Sequence, residues 1–287
     1  MTYKKLLTLG LMLTLFIGGG SLSLAKSPKT PAALGIRWVK IDGGEFLMGS
    51  PDNDLAAFSD EKPQHKVKLS TYWMSATEVT NAQYNQFLSA MKAKGGIVWK
   101  KVKNSGANYP GLPAKFKQPD QPVVCVSYED AQAFCRWVGN KVSLPTEAQW
   151  EYACRAGSPE SYGLGEGGEQ MTKKNLPNYG WYGEPESTGA THPVATKKPN
   201  AFGLYDMYGN VWEWCLDYYS TDYYGQCKGK DDETVTDPTG PTSGRYYVSR
   251  GGRWHFDAVG CRGTDRGDRN ERNIRNRTMG FRIVAQP

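Results

Sequence analysis

The sequence predicts a single α+β domain with an unusually large share of irregular structure. Three observations carry this. Of 287 residues, 39% are hydrophobic and 22% charged, the balance of a chain that folds around a core. The chain is rich in Gly (33), Tyr (17) and Trp (9), while few stretches show helical apolar spacing, so loops, turns and short strands must build much of the core. No internal repeat and no sharp change of composition divides it, and its length suits one large domain.

The first 25 residues read as a targeting segment. Lys4 and Lys5 precede an apolar run of twelve, LLTLGLMLTLFI, and small residues follow, with Ser23-Leu24-Ala25 as a cleavage site. Twelve residues fall short of the ~20 that span a bilayer. An uncleaved anchor is the alternative reading. Removal predicts an exported protein, periplasmic or secreted, with no membrane span left. The remaining 33 bases and 29 acids give a charge near +4. The charges are interspersed and form no basic block, which argues against nucleic acid as a partner. Residues 26–36 form a polar leader and residues 37–287 the domain.

Along the domain, 37–49 reads as two short strands around Gly43-Gly44, and the alternating 66–74 as one more. Tyr84, Phe87, Leu88 and Met91 have helical spacing after a Thr80 cap. Residues 92–122, with many Lys, Gly and Pro, read as a long loop. A second helix follows the capping box of Ser127 and Asp130, with Ala131, Phe134, Cys135 and Val138 on one face and Gly139 as its stop. A third follows Thr146 and Gln149. Residues 158–195 read as loops, and 246–249 and 280–284 as short strands. The six cysteines (125, 135, 154, 215, 227 and 261) follow a secretory signal, so disulfides are expected, although six thiols allow fifteen full pairings. Cys215 and Cys227, twelve apart, could bridge locally. Cys125 and Cys135 are a poorer pair, because a helix separates them by ~12 Å. The three histidines, His65, His192 and His255, are too scattered to suggest a triad or a three-His metal site.

Several ordered stretches together resemble the formylglycine-generating-enzyme family, or sulfatase-modifying factors. They include Gly43-Gly44-Glu45-Phe46-Leu47-Met48-Gly49, Glu78-Val79-Thr80-Asn81 and Leu144-Pro145-Thr146-Glu147-Ala148-Gln149-Trp150-Glu151-Tyr152. They continue with Asn200-Ala201-Phe202-Gly203-Leu204-Tyr205-Asp206-Met207 and Gly209-Asn210-Val211-Trp212-Glu213-Trp214. The last are Arg250-Gly251-Gly252, Trp254, Arg262, Arg266 and Gly280-Phe281-Arg282. The resemblance implies a C-type-lectin-related fold with two main helices and a small twisted antiparallel sheet.

It also implies what chemistry to look for. Oxidases of the family convert a client cysteine to formylglycine with oxygen and copper(I), a soft ion held by two thiolates. These lie two and seven residues after the aromatic of the Gly-Gly-Ser-aromatic segment, positions that here hold Phe256 and Cys261. Arg253 replaces the family serine, and the register of Arg262 sets Cys261 beside a family disulfide position whose partner matches Cys154. A Cys154–Cys261 bridge is therefore the preferred pairing, and copper is not expected. Calcium is expected at the positions matching a family site, Asp206, Gly209, Val211 and Glu213, since a hard cation prefers such oxygens.

Nine arginines and four acids lie between Arg250 and Arg282. They suggest a cleft for a peptide, a small anionic ligand or an exported client protein, with Trp212, Arg253, Trp254, His255, Phe256, Arg262 and Arg266 near it. The competing reading makes Arg250, Arg262, Arg266 and Arg282 cross-links of a strand-poor fold, and Trp212, Trp214 and Trp254 core residues. Cys261 and His255 are the candidate catalytic groups. Formylglycine formation, a copper-free oxidation and retroelement-diversified ligand display are the alternatives to simple binding.

Overall fold

The computed structural model describes residue 28 and residues 34–287, except 186–188 and 229–232. The apolar leader and its cleavage site lie outside the described residues. Strands β1 (Trp38–Ile41) and β2 (Gly44–Met48) flank the predicted glycine turn. A Cβ at Gly43 would lie 2.3 Å from the Leu69 carbonyl oxygen, so only glycine fits. The stretch expected as one strand is two, β3 (His65–Leu69) and β4 (Tyr72–Ser75). They belong to different sheets, β3 pairing with β2 and β4 with β1, both antiparallel. At the break the Thr71 hydroxyl accepts the Gly43 N–H, and Asp237 accepts both the N–H and the hydroxyl of Ser70.

Helix α1 (Asn81–Lys94) opens on the expected Thr80 cap. Gly95 and Gly96, at φ 68° and 78°, end it and lead into α2 (Gly96–Val102), a short helix inside the stretch expected as loop. Helix α3 (Tyr128–Val138), strand β5 (Val142–Ser143) and helix α4 (Glu147–Arg155) follow, both helices with the predicted capping boxes. The chain then runs through β6 (Trp212–Tyr218), α5 (Tyr223–Lys228), β7 (Val235–Thr236), β8 (Tyr246–Arg250), β9 (Gly267–Glu271), β10 (Met279–Gly280) and β11 (Val284–Ala285). The described strands form three small sheets in the orders β1-β4-β11-β5, β10-β6-β8-β9 and β2-β3-β7. Among the described residues no helix is long and apolar enough to cross a membrane.

One core gathers the apolar faces of α1 and α3, where Tyr84, Phe87, Phe134 and Phe281 pack with ring centroids 5.3–6.3 Å apart. A second surrounds Trp150 of α4 with Tyr72, Met74 and Val248. The arginines behave as cross-links. Arg250 meets Glu147 and Glu151 (both 2.9 Å), Arg262 meets Glu61 (2.5 Å), Arg266 meets Glu147 (2.7 Å) and Arg282 meets Glu213 (2.6 Å). Trp214 and Trp254 are wholly buried, as core residues should be. The six cysteines stand as free buried thiols, so neither the Cys154–Cys261 nor the Cys215–Cys227 bridge is formed in this structure. Cys261 lies instead beneath the Gly251-Gly252 turn, and Cys154 beside the Met207 carbonyl (3.8 Å).

Candidate functional site

A cleft of about 590 Å³ opens where β6, β8 and β9 meet Phe58 and the short 3-10 helix Ser59–Glu61. Its floor depends on a glycine, since a Cβ at Gly267 would lie 2.1 Å from Ser249 Oγ and 3.2 Å from the Trp212 ring. Trp212 and Phe256 pack edge to face on one wall with centroids 5.7 Å apart, and the Arg253 guanidinium lies 3.9 Å from the Phe256 centroid. These three predicted residues do come together on the cleft. A second hollow, about 560 Å³, opens beside α4 against β2 and residues 157–161, and holds none of the predicted residues.

The remaining predicted ligand residues are placed differently. Arg266 lines the cleft, but its guanidinium is spent on Glu147 (2.7 and 3.0 Å) and on the carbonyls of Asp60 and Ser220 (2.8 and 3.2 Å). Arg262 is buried away from the opening and grips Glu61 with two prongs, 2.7 and 2.5 Å. Burial alone would raise the Glu61 carboxyl, but the Arg262 bonds and charge outweigh it and hold it below its ordinary value. Trp254 is wholly buried and off the lining. His255 also lies off the lining, half-buried against the rings of Trp254 (4.3 Å) and Phe256 (5.9 Å). Several lining residues carried no sequence signal, among them Phe58, Asp60, Tyr219 and Asp265. They sit in loops or turns without periodicity.

The residues present do not fit a copper(I) ion. Phe256 offers no donor atom. Cys261 is fully buried, and burial pushes its thiol up to about 12 despite the Arg253 backbone N–H that points at it. A Cβ at Gly252 would lie 2.5 Å from that sulfur, which shows how closely the turn covers it. Among the described residues no group of three or more His, Cys, Asp or Glu side chains is arranged to hold a metal.

Of the four expected calcium positions, Asp206 and Glu213 carry carboxylates, while Gly209 and Val211 would offer only backbone carbonyls. Glu213 accepts from Arg282 Nε (2.6 Å), Arg282 Nη2 (2.7 Å) and Trp150 Nε1 (2.7 Å), which leaves it committed. Gly209, at φ 102°, turns so tightly that a Cβ would lie 2.0 Å from the Trp181 oxygen. Asp206 Oδ2 accepts the Ala195 N–H (2.8 Å), and Oδ1 is buried. Glu78 stands in the same position: Oε1 accepts from Asn210 (3.0 Å) and Oε2 is buried. Burial, together with the charge of Asp206, raises the Glu78 carboxyl well above its ordinary value, and burial lifts Asp206 to about 6. The two carboxyls hydrogen-bond each other, with the proton held by Glu78, and a hard cation there would have to displace that proton.

Comparison with known proteins agrees with this architecture. The family described as the sulfatase-modifying factor enzyme 1-like domain matches residues 25–287. The formylglycine-generating enzyme of Streptomyces coelicolor is 32% identical over 259 residues, covering 75% of this chain and 78% of that protein. Among solved structures, Treponema denticola variable protein 1 has a TM-score of 0.66 at 27% identity, covering 87% of this chain and 95% of its own. PvdO from Pseudomonas aeruginosa has a TM-score of 0.68 at 26% identity, covering 87% and 94%. With its ordered motifs, its mixture of short helices and small sheets and a family match over nearly its whole length, the chain belongs to the sulfatase-modifying-factor, or formylglycine-generating-enzyme-like, family.

Proposed function

We propose that this chain is an exported member of the family that binds a peptide or small ligand in the cleft of Trp212, Arg253 and Phe256, without copper-dependent cysteine oxidation. The observation that supports it most is the pair of positions after Trp254. A phenylalanine ring occupies one thiolate position, and the other thiol is buried under a glycine turn. A soft ion needs two accessible thiolates and finds none there. What the cleft offers is recognition: two aromatic rings, a guanidinium stacked on one of them, and polar groups around the floor. Ligand display uses the same surface and is one form of this reading. Export rests on the signal-like leader. The calcium expected from the family belongs, in this reading, to Asp206 with Glu78 rather than Glu213.

The test is a direct assay. The purified chain is incubated with copper(I), oxygen and a Cys-x-Pro-x-Arg peptide, and the peptide is weighed by mass spectrometry. The expected result is an unchanged cysteine. Accumulation of the aldehyde would overturn the proposal in favour of formylglycine formation.

A further inference from the structure

Among the described residues, one carboxylate of the cleft has no donor from the chain itself. Solvent in the cleft reaches its oxygens, and a ligand that displaces that water must supply counter-charge and donors in its place. Asp265 is only 5% exposed, and it lines the cleft. Among the described residues no hydrogen-bond donor acts on its carboxyl; the groups that face it are Glu61, Arg262, Arg250 and Asp60. Arg262 comes no nearer than 3.9 Å and is forked on Glu61. Arg250 is committed to Glu147, Glu151 and Tyr224. Asp60, on the same cleft, has one oxygen bound by the Tyr219 hydroxyl (2.7 Å). Of the two arginines that line the cleft with Asp265, Arg266 is spent on Glu147 and Arg253 stacks on Phe256, which leaves the open side of Asp265 to the ligand.

We propose that Asp265 receives a protonated nitrogen, so that the ligand of this cleft is an amine rather than a purely anionic molecule. The inference rests on the cleft being the binding site. An ammonium supplies counter-charge and up to three donors, and the rings of Trp212 and Phe256 favour a cation or an aromatic body beside it. Burial, with Glu61 adding to it, pushes the empty carboxyl up to about 7. Below that pH the group is neutral and has no charge to offer. Above it the carboxylate is present while an aliphatic ammonium, with a pKa of ~10, stays charged. Amine affinity therefore rises about tenfold from pH 6 to pH 8, following the ionised fraction of a group near 7.

The experiment titrates the purified chain by NMR with 2-phenylethylamine, 2-phenylethanol and 3-phenylpropionate. At pH 8 the amine binds at least tenfold more tightly than the alcohol. Asp265→Asn lowers it to the level of the alcohol, and Asp265→Glu restores most of the difference. Should Asp265→Asn fail to fold, the pH profile of the unaltered chain decides. A flat amine profile, an Asp265→Asn variant that binds amine unchanged, or a preference for the propionate overturns the inference. If the propionate or alcohol binds in a way that Trp212→Ala abolishes, and Asp265 plays no part, the cleft reading survives alone. If no probe of any charge binds, both fall.

Discussion

Asp217 shows how one side chain sets a pH dependence. It is buried beside Glu147, and its Oδ2 accepts the Glu147 N–H at the start of α4 (2.9 Å). Burial, with the Glu147 charge adding, pushes its carboxyl up to about 8 from an ordinary 3.8. The folded chain holds a proton there that the unfolded chain has released. The stability this site contributes is complete below 3.8 and is lost as pH rises through about 8. Asp217→Asn keeps an acceptor and removes the charge, so its urea midpoint is expected above that of the unaltered chain at pH 8, with the gap narrowing towards pH 5. A gap that does not change with pH would refute this account. At this scale the arginines were legible in number but not in role. Arg262 and Arg266 fit both a ligand cleft and a structural web until Glu61 and Glu147 were seen to hold them.

Helices were the readable elements, because their signals are local. The face of Ala131, Phe134, Cys135 and Val138 in α3 is buried as its spacing implied, and Ser127 caps it by accepting the Asp130 N–H. Asp130 also takes both prongs of Arg275 (2.6 and 2.8 Å), so the cap anchors the tail as well as the helix. Ser127→Ala is expected to cost about 1 kcal/mol, read as a lower urea midpoint with the slope unchanged. A neutral substitution would mean that Asp130 and Arg275 hold the helix end alone. Other elements were hidden for identifiable reasons. Strand β6 is buried on both faces over its first four residues and so lacks alternation. Helix α2 is a short segment starting at a glycine, with Ile97 largely exposed, and has no amphipathic pattern to find. Strands β3 and β4 read as one because only Ser70 and Thr71 separate them, too short a break to show in the sequence although the two belong to different sheets.

At the scale of the molecule, long-range pairs tie the ends of the chain together. Arg262 reaches Glu61 from 201 positions away, Arg266 reaches Glu147 from 119, and Arg282 reaches Glu213 from 69. Each pair is buried, so removing one partner strands a charge and costs about 3–5 kcal/mol. Glu78, just after β4, and Asp206, far along the chain, form the acidic counterpart of these links, a buried pair of carboxyls that share a proton. A cation bound there stabilises only the folded chain. At a hundredfold excess over its dissociation constant it adds about 2.7 kcal/mol, which raises the melting temperature by roughly 5–10 °C. Melting in millimolar calcium against a chelator is expected to show that rise, and Glu78→Gln to abolish it. Coincident melting curves would remove calcium from the account.

The sequence alone determined the family, the α+β class, three helices with their caps, and the aromatic and arginine-rich segment from which the cleft is built. Those signals lie within a few residues of one another or in the order of motifs along the chain. The tertiary structure decided which arginines were spent on carboxylates, that Trp254 and Cys261 are covered while Trp212 and Phe256 line the opening, and that Asp265 faces it without a donor. The physical reason is that a charge or a thiol takes its character from desolvation and from partners that folding brings in from elsewhere in the chain.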